Sequence, residues 1–286
     1  MSYDPQEVRD LYDARVKREW ERFDNPLGRV QLTQIQRFLA RYVRPKSAVL
    51  DAGSGPGRFA TFLAKMGCEV TLVDISEKMI AEAQRRLGEA DLSDRIAGAY
   101  CCDILNMGFL PDESFDVVLC LGGALCYLRD KVQTALAELV RVCKPDGLLL
   151  GSVMSRIGIL RTRLVYGWTR STDVDPEALG ILLRTGDVPR GGAFLTKQPA
   201  HYFRKDELLR LLDRAAVDVV EVRSTNTLLT LPPERILALQ SESSIWPMLE
   251  DIEAEVCLSA PELGSHILFA SRPGKRLGPA ASASQA

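Results

Sequence analysis

Residues 49–59, VLDAGSGPGRF, decide how the rest of the chain is read. Val49 and Leu50 close a short apolar run that suits a buried strand, and Gly53, Gly55 and Gly57 follow as a turn in which no side chain obstructs a ligand. A helix is expected to begin near Arg58. Strand, glycine turn and helix N-terminus together aim backbone N–H groups at a small polar ligand. Further along, the apolar run Glu69–Val73 ends in Asp74, where a carboxylate can accept hydrogen bonds from ribose hydroxyls. A third candidate strand ends near Cys102 and is followed by Asp103. Three successive strands therefore carry acids at their carboxyl ends, Asp51, Asp74 and Asp103, on the edge where open α/β sheets bind ligands.

These residues carry a resemblance to class I S-adenosylmethionine-dependent methyltransferases. DAGSGPG (Asp51–Gly57) resembles the family's acid-plus-glycine first motif, Asp74 its ribose acid and Asp103 its adenine-contacting acid. LVRVCKPDGL (Leu139–Leu148) is similar to the stretch between fourth helix and fifth strand, with Cys143 and Asp146 as mild departures. The likeness is strong over roughly residues 45 to 155 and loose in the C-terminal strands. It implies an α/β fold with a Rossmann-like seven-stranded methyltransferase sheet, S-adenosylmethionine as cofactor and S-adenosylhomocysteine as product. It also implies cofactor contacts at Asp51, Gly53, Ser54, Gly55, Gly57, Arg58, Asp74, Ile75, Met79, Cys102, Asp103 and Ile104. Leu121, Gly122 and Tyr127 would border the space between the sulfonium methyl and the acceptor, although two glycines after a strand also serve as an ordinary turn.

The length of 286 residues suits one α/β domain with embellishments, and 46% hydrophobic with 26% charged residues is ordinary for a globular protein. A net charge of −2 without a long basic block argues against an electrostatic grip on nucleic acid. The seven cysteines show neither a C-x-x-C pair nor a nearby histidine, so reduced, buried thiols are expected and no metal site is. No signal segment and no run of 18 apolar residues is seen, and a cytoplasmic protein without membrane partners is the expectation. The oligomeric state stays open, a homodimer included.

Asp4-Pro5-Gln6-Glu7 reads as a helix start with a capping box, and Val8, Leu11, Tyr12, Val16, Trp20 and Phe23 recur on one face to residue 23. DNPLG (Asp24–Gly28) ends that helix, and a second runs from about Val30 to Tyr42. In the family such helices cover the cofactor, which makes Tyr12, Trp20 and Arg29 candidates for cofactor or substrate contact; the aromatics read equally as core. Strands are expected at 47–52, 69–74, 96–101, 115–121 and 147–154, and helices at 57–67, 76–88 and 131–143, an alternation that implies a parallel sheet with helices on both faces. The chain then divides into a helical cap (1–44), a cofactor core (45–154), a lid insertion (155–200), a C-terminal part of the sheet (201–273) and a disordered tail (274–286). Apolar Ile157, Leu160, Leu164, Tyr166 and Trp168 in the insertion either face a bulky acceptor or pack the lid onto the core. After it come a helix at 205–214, a strand at 217–222, helices near 233–240 and 245–258, and a last strand at 266–270.

Methyl transfer from a sulfonium is an in-line displacement in which alignment contributes most, and an oxygen or amine acceptor can need a base as well. His201 is the candidate base, set against a hydrogen-bonded structural histidine; His266 lies inside the last strand, and Tyr12, Tyr127 and Arg156 are candidates for orienting the acceptor. A nicotinamide-dependent dehydrogenase is the nearest rival enzyme, since Gly53, Gly55 and Asp74 mimic a dinucleotide fingerprint and Tyr127 with Lys131 matches a reductase spacing. Arg58 in the third-glycine position and Asp51 beside a would-be pyrophosphate speak against it. A non-catalytic S-adenosylmethionine-binding protein is the alternative of a different class. The reading reached is methylation of a mid-sized, partly apolar natural product or metabolite. Nucleic-acid or protein methylation is second, because Leu121–Ala124 stands where an Asn/Asp-Pro-Pro-Tyr signature would be.

Overall fold

A computed structural model describes residues 2–166, 175–188 and 199–274. The core is a seven-stranded sheet built from β1 (Ala48–Ala52), β2 (Glu69–Asp74), β3 (Ile96–Cys101), β4 (Phe115–Cys120), β5 (Cys143–Met154), β8 (Val217–Thr225) and β9 (His266–Pro273), in the order β3-β2-β1-β4-β5-β9-β8. The contacts β1–β2, β1–β4, β2–β3 and β4–β5 are parallel. β9 runs antiparallel to both β5 and β8, so the sheet is mixed where strand–helix alternation alone implied a parallel one. β1, β2 and β4 are buried nearly throughout because their Val and Leu residues are covered from both sides, whereas β3, at the sheet edge, is half-buried to exposed.

One face of the sheet is covered by α3 (Pro26–Tyr42), α4 (Arg58–Lys65) and α5 (Glu77–Glu89), which place Phe38, Leu39, Phe59, Leu63, Ala83 and Leu87 against Val70 and Leu72. On the other face, beyond the single turn α6 (Ala124–Tyr127), α7 (Val132–Val142) and α10 (Lys205–Arg214) bury Leu136, Leu139, Leu208 and Leu212 against Val118, Leu149 and Phe269. The strand order reverses between β1 and β4, and crevices at such reversals are where α/β sheets hold ligands. Gly57 ends the turn there with φ at 80°, and a Cβ on it would lie 2.8 Å from Cβ of Ala83, so α4 and α5 approach as closely as glycine allows.

The single helix expected to residue 23 is two, α1 (Pro5–Asp13) and α2 (Val16–Glu21), separated at Ala14 and Arg15. Asp4 caps α1 by accepting from the Gln6 and Glu7 amides, while the Glu7 carboxylate pairs with Arg129. The DNPLG stretch does not only end a helix: Asn25 caps α3 by accepting from Gly28 N–H, with Pro26 at the first helical position. In the insertion, α8 (Arg156–Tyr166), α9 (Pro176–Thr185) and the short pair β6 (Asp187–Val188) and β7 (Ala200–His201) gather a small apolar cluster. Leu160 packs against it and Leu164 is 67% exposed, whereas Trp168 and the Tyr166 side chain lie outside the described residues, as do residues 275–286 of the expected tail. Two further helices, α11 (Pro233–Ser241) and α12 (Trp246–Ser259), precede β9. Among the described residues no helix is long and apolar enough to cross a membrane. Five of the cysteines are buried, but Cys101 is exposed at the carboxyl end of β3 and Cys102 is half-buried.

Candidate functional site

A cleft with an empty volume of about 830 Å³ opens at the strand reversal. Its floor comes from the turn after β1 (Gly53, Ser54, Gly55, Pro56) and from the loops after β2 (Asp74, Ile75) and β3 (Asp103, Ile104). The turn is tied to the neighbouring strand: the Gly53 and Ser54 amides donate to the Val73 carbonyl, and the Gly55 amide donates to Oδ2 of Asp74 at 2.8 Å. The other Asp74 oxygen accepts from Ser76 N–H at 2.9 Å. Burial pushes the Asp74 carboxyl up to about 6 against those two amide donors. Asp51 lies one layer deeper, 1% exposed, and burial followed by the charge of Asp74 pushes it up to about 7. Asp51 Oδ2 and Ser54 Oγ are buried without a hydrogen-bond partner. Orphaned buried acceptors beside a glycine turn are what a ligand with its own donors would satisfy.

The loop after β4 forms the opposite wall through Leu121, Gly122, Ala124, Tyr127 and Leu128. The cap contributes Tyr3, Val8, Tyr12, Glu19, Arg22 and Phe23. Tyr12 and Tyr127 meet edge to face with ring centroids 5.5 Å apart. Burial raises both phenols, so both are neutral hydroxyls at ordinary pH. Arg22 packs its guanidinium on Gly122, where a Cβ would meet Nη2 at 3.2 Å, and its charge is answered by Glu19 at 3.3 Å.

Several residues expected at the site stand elsewhere. Arg29 points outward from α3 and donates to the Asp24 carbonyl; Arg22 is the cap arginine on the cleft wall. Trp20 is flanked by Arg58 and Arg86, with guanidinium carbons 4.0 and 4.1 Å from its ring centroid, in a recess on the outer side of α4. Met79 is fully buried, its amide donating to the Ser76 hydroxyl that caps α5. Cys102 and Gly57 hold the loops without facing the cleft. Arg156 is buried in a pair with Glu207 at 2.9 Å and donates to the Tyr202 carbonyl. His201 faces a separate recess between α7 and α10. Its Nδ1 is 2.7 Å from Asp187 and its Nε2 2.7 Å from Glu207, leaving neither nitrogen for an acceptor's proton. Burial works to lower the imidazole, but the two carboxylates outweigh it and push the group up to about 9. His266 is pushed down to about 3 by burial and by Arg22, and Gln31 holds its Nδ1 at 2.9 Å. No described residue of the insertion lines the cleft.

Tyr3, Glu19 and Arg22 were not legible as site residues. Their signal is the aromatic and charged face that Tyr3, Tyr12, Glu19 and Arg22 share once α1 and α2 bend over the sheet edge.

A methyltransferase domain profile matches residues 49–147. The chain is 32% identical over 157 residues to a malonyl-[acyl-carrier protein] O-methyltransferase of Enterobacter lignolyticus, covering 54% of this chain and 57% of that one. It is 30% identical over 160 residues to the N-terminal Xaa-Pro-Lys N-methyltransferase 1 of Homo sapiens, covering 52% of this chain and 69% of that one. In fold it is similar to magnesium protoporphyrin IX methyltransferase from Synechocystis, solved with bound S-adenosylhomocysteine, at a TM-score of 0.58 and 16% identity over 94% of this chain and 99% of that one. The chain thus spans little more than half the length of the Enterobacter relative.

Proposed function

The chain belongs to the class I S-adenosylmethionine-dependent methyltransferases, and from that premise we propose that it methylates a mid-sized, partly apolar small molecule at oxygen, nitrogen or carbon. S-adenosylmethionine, the family's cofactor, supplies when bound an electrophilic methyl group on a sulfonium. The residues lining the cleft fit it: Asp74 and Asp103 are acceptors for ribose and adenine donors, and Ser54 Oγ is an unpartnered polar atom at the glycine turn. Ile75, Ile104 and Leu121 offer apolar contact, and Arg22 offers a cation for an anionic group.

The observation that carries the reading is that the glycine turn, Asp74, Asp103 and the Tyr12–Tyr127 pair line one cleft at the strand reversal. An in-line displacement draws most of its acceleration from holding donor and acceptor in register, on the order of 7–11 kcal/mol. Two neutral phenols that face the cleft can orient an acceptor by hydrogen bonds without taking its proton. Apolar Val8, Phe23 and Leu128 exclude water around them.

The test is calorimetric titration of the purified protein with S-adenosylmethionine and with NADH, followed by an acceptor screen by mass spectrometry for a gain of one methylene. Binding of S-adenosylmethionine with a methylated product supports the reading; binding of NADH alone overturns it. A peptide amine is the second reading, favoured by the 30% identity to the human N-methyltransferase, and peptides belong in the same screen.

A further inference from the structure

The recess that His201 faces, between α7 and α10, has an empty volume of about 780 Å³ and shares no lining residue with the cofactor cleft. Val132, Phe203 and Leu211 give it an apolar floor, with Val132 and Phe203 buried. His201 and Glu207 are engaged with each other and with Asp187 and Arg156, two cations against two carboxylates, so that network is neutral as a whole. The polar groups left to meet a ligand are Arg129, Asp130, Gln133 and Arg214.

Two of these carry buried atoms that have no hydrogen-bond partner, Nε of Arg129 and Oε1 of Gln133. The Arg129 side chain is 10% exposed, and its Nη atoms donate to the Ser2 carbonyl and the Glu7 carboxylate, which leaves Nε–H as the unused donor. Its backbone φ is 50°, unfavourable for any residue with a Cβ, so the fold fixes this guanidinium at a cost. Gln133 lies in the first turn of α7, an 11-residue helix that starts without a side-chain cap, and the positive end of the helix dipole is therefore at the recess. Arg214 ends α10 on the rim, with no carboxylate in ion-pair range among the described residues. Asp130 is half-exposed on the same rim. The recess thus offers cationic donors and carbonyl or carboxylate acceptors side by side over an apolar floor.

We propose that this recess binds a free apolar α-amino acid. Its carboxylate would take Arg129 Nε–H and Arg214 near the start of α7, its ammonium would donate to Gln133 Oε1 and Asp130, and its side chain would cover Val132, Phe203 and Leu211. A plain anion would leave the Gln133 acceptor unpaired and a plain cation would leave the Arg129 donor unpaired, each a desolvated polar group that costs affinity. A zwitterion answers both. The site stands apart from the cleft and does not depend on what the cleft binds.

The experiment is calorimetric titration of L-leucine into the purified protein with S-adenosylhomocysteine saturating the cleft. Isocaproate, which lacks the ammonium, and isoamylamine, which lacks the carboxylate, are titrated beside it. Leucine is expected to bind at millimolar concentration or below, and each truncated probe about tenfold more weakly, the scale of one hydrogen bond to a charged group. Gln133→Leu should bind leucine about tenfold more weakly and isocaproate as wild type does. Arg214→Gln should weaken leucine about fivefold, as for a partly exposed ion pair, and both variants should keep wild-type affinity for S-adenosylhomocysteine. Absence of leucine binding would mean that the recess holds only water, and binding indifferent to both variants would put the amino acid elsewhere; either overturns the proposal. Isocaproate binding as tightly as leucine overturns the amino-acid class. Should S-adenosylhomocysteine itself fail to bind, the cofactor reading falls, and the same titrations on the ligand-free protein decide this proposal separately.

Discussion

Gly55 and Asp74 face each other across the turn after β1, the glycine amide donating to the carboxylate at 2.8 Å, so the acid that would receive a ligand's hydroxyls also shapes the loop beneath it. Asp74→Asn keeps an acceptor for the Gly55 or Ser76 amide but loses the charge. Calorimetry should show S-adenosylmethionine binding weakened by about 10–100-fold, the loss expected for hydrogen bonds to a charged group. Folding should respond in the other direction. Asp74 and Asp51 sit at about 6 and about 7 in the folded chain, above the ordinary carboxylate range. The stability they contribute is therefore present at acid pH and lost as pH rises through 6 and 7. In ligand-free denaturation curves from pH 4 to 8, the variant should gain on wild type as pH rises. A variant that loses ground instead would mean the Asp74 carboxylate is stabilised by contacts other than Gly55 and Ser76.

His201 has the opposite sign of a useful base. Its folded value of about 9 lies above the free value of 6.5, so the stability from its pairs with Asp187 and Glu207 is complete below pH 6.5 and lost as pH rises through 9. His201→Gln should cost about 3 kcal/mol at pH 7, the scale of breaking a buried pair from one side, and the gap to wild type should close by pH 10 in urea unfolding. Cofactor affinity should be unchanged, because the imidazole faces a different recess. A variant of native stability with lost turnover would restore the histidine to the chemistry.

Gly57 and Gly55 separate packing from binding. Both have positive φ, 80° and 52°, but a Cβ on Gly57 meets Ala83 at 2.8 Å whereas one on Gly55 meets nothing within 4 Å. Gly57→Ala should destabilise by about 2–4 kcal/mol through left-handed strain and overpacking together. Gly55→Ala should cost only about 1–2 kcal/mol from the strain alone. Its new methyl group would stand at the cleft wall, so the larger effect should be on cofactor affinity. Chemical denaturation and calorimetry on the two variants check both halves.

The sheet was readable because β1, β2 and β4 are short, largely apolar runs with acids or glycines at or just after their carboxyl ends, and those punctuation marks also carry the floor of the cleft. The cap was not readable in the same way. Val8, Leu11, Tyr12, Val16, Trp20 and Phe23 keep one periodic face straight through the break at Ala14–Arg15, so periodicity alone cannot see that the helix bends over the sheet edge. Asn25-Pro26 is a start signal, and placing the start of α3 near Val30 leaves Arg29 free to face the ligand when it is a helical residue pointing to solvent. His201 misled for another reason. Its partners lie in β6 and α10, and nothing local marks a histidine that tertiary structure will set between two carboxylates. β8 and β9 likewise have ordinary local signals, but their pairing partners are set by topology, and β9 inserts between β5 and β8.

That insertion has a consequence for the order in which the protein is made. β5 ends at Met154 and β9 begins at His266, yet β9 is the strand that joins β5 to β8. Until it emerges from the ribosome, one side of β5 presents unpaired amides and carbonyls, and β8 has no strand to pair with among the described residues. The first five strands can collapse around α3, α4, α5 and α7 as they are synthesised, whereas closing the sheet is a late, long-range event of the slow kind. During translation the nascent chain therefore carries an open sheet edge for as long as it takes to synthesise the insertion, α10, β8 and the two helices before β9, and that interval is when this protein is most exposed to aggregation and most dependent on chaperones.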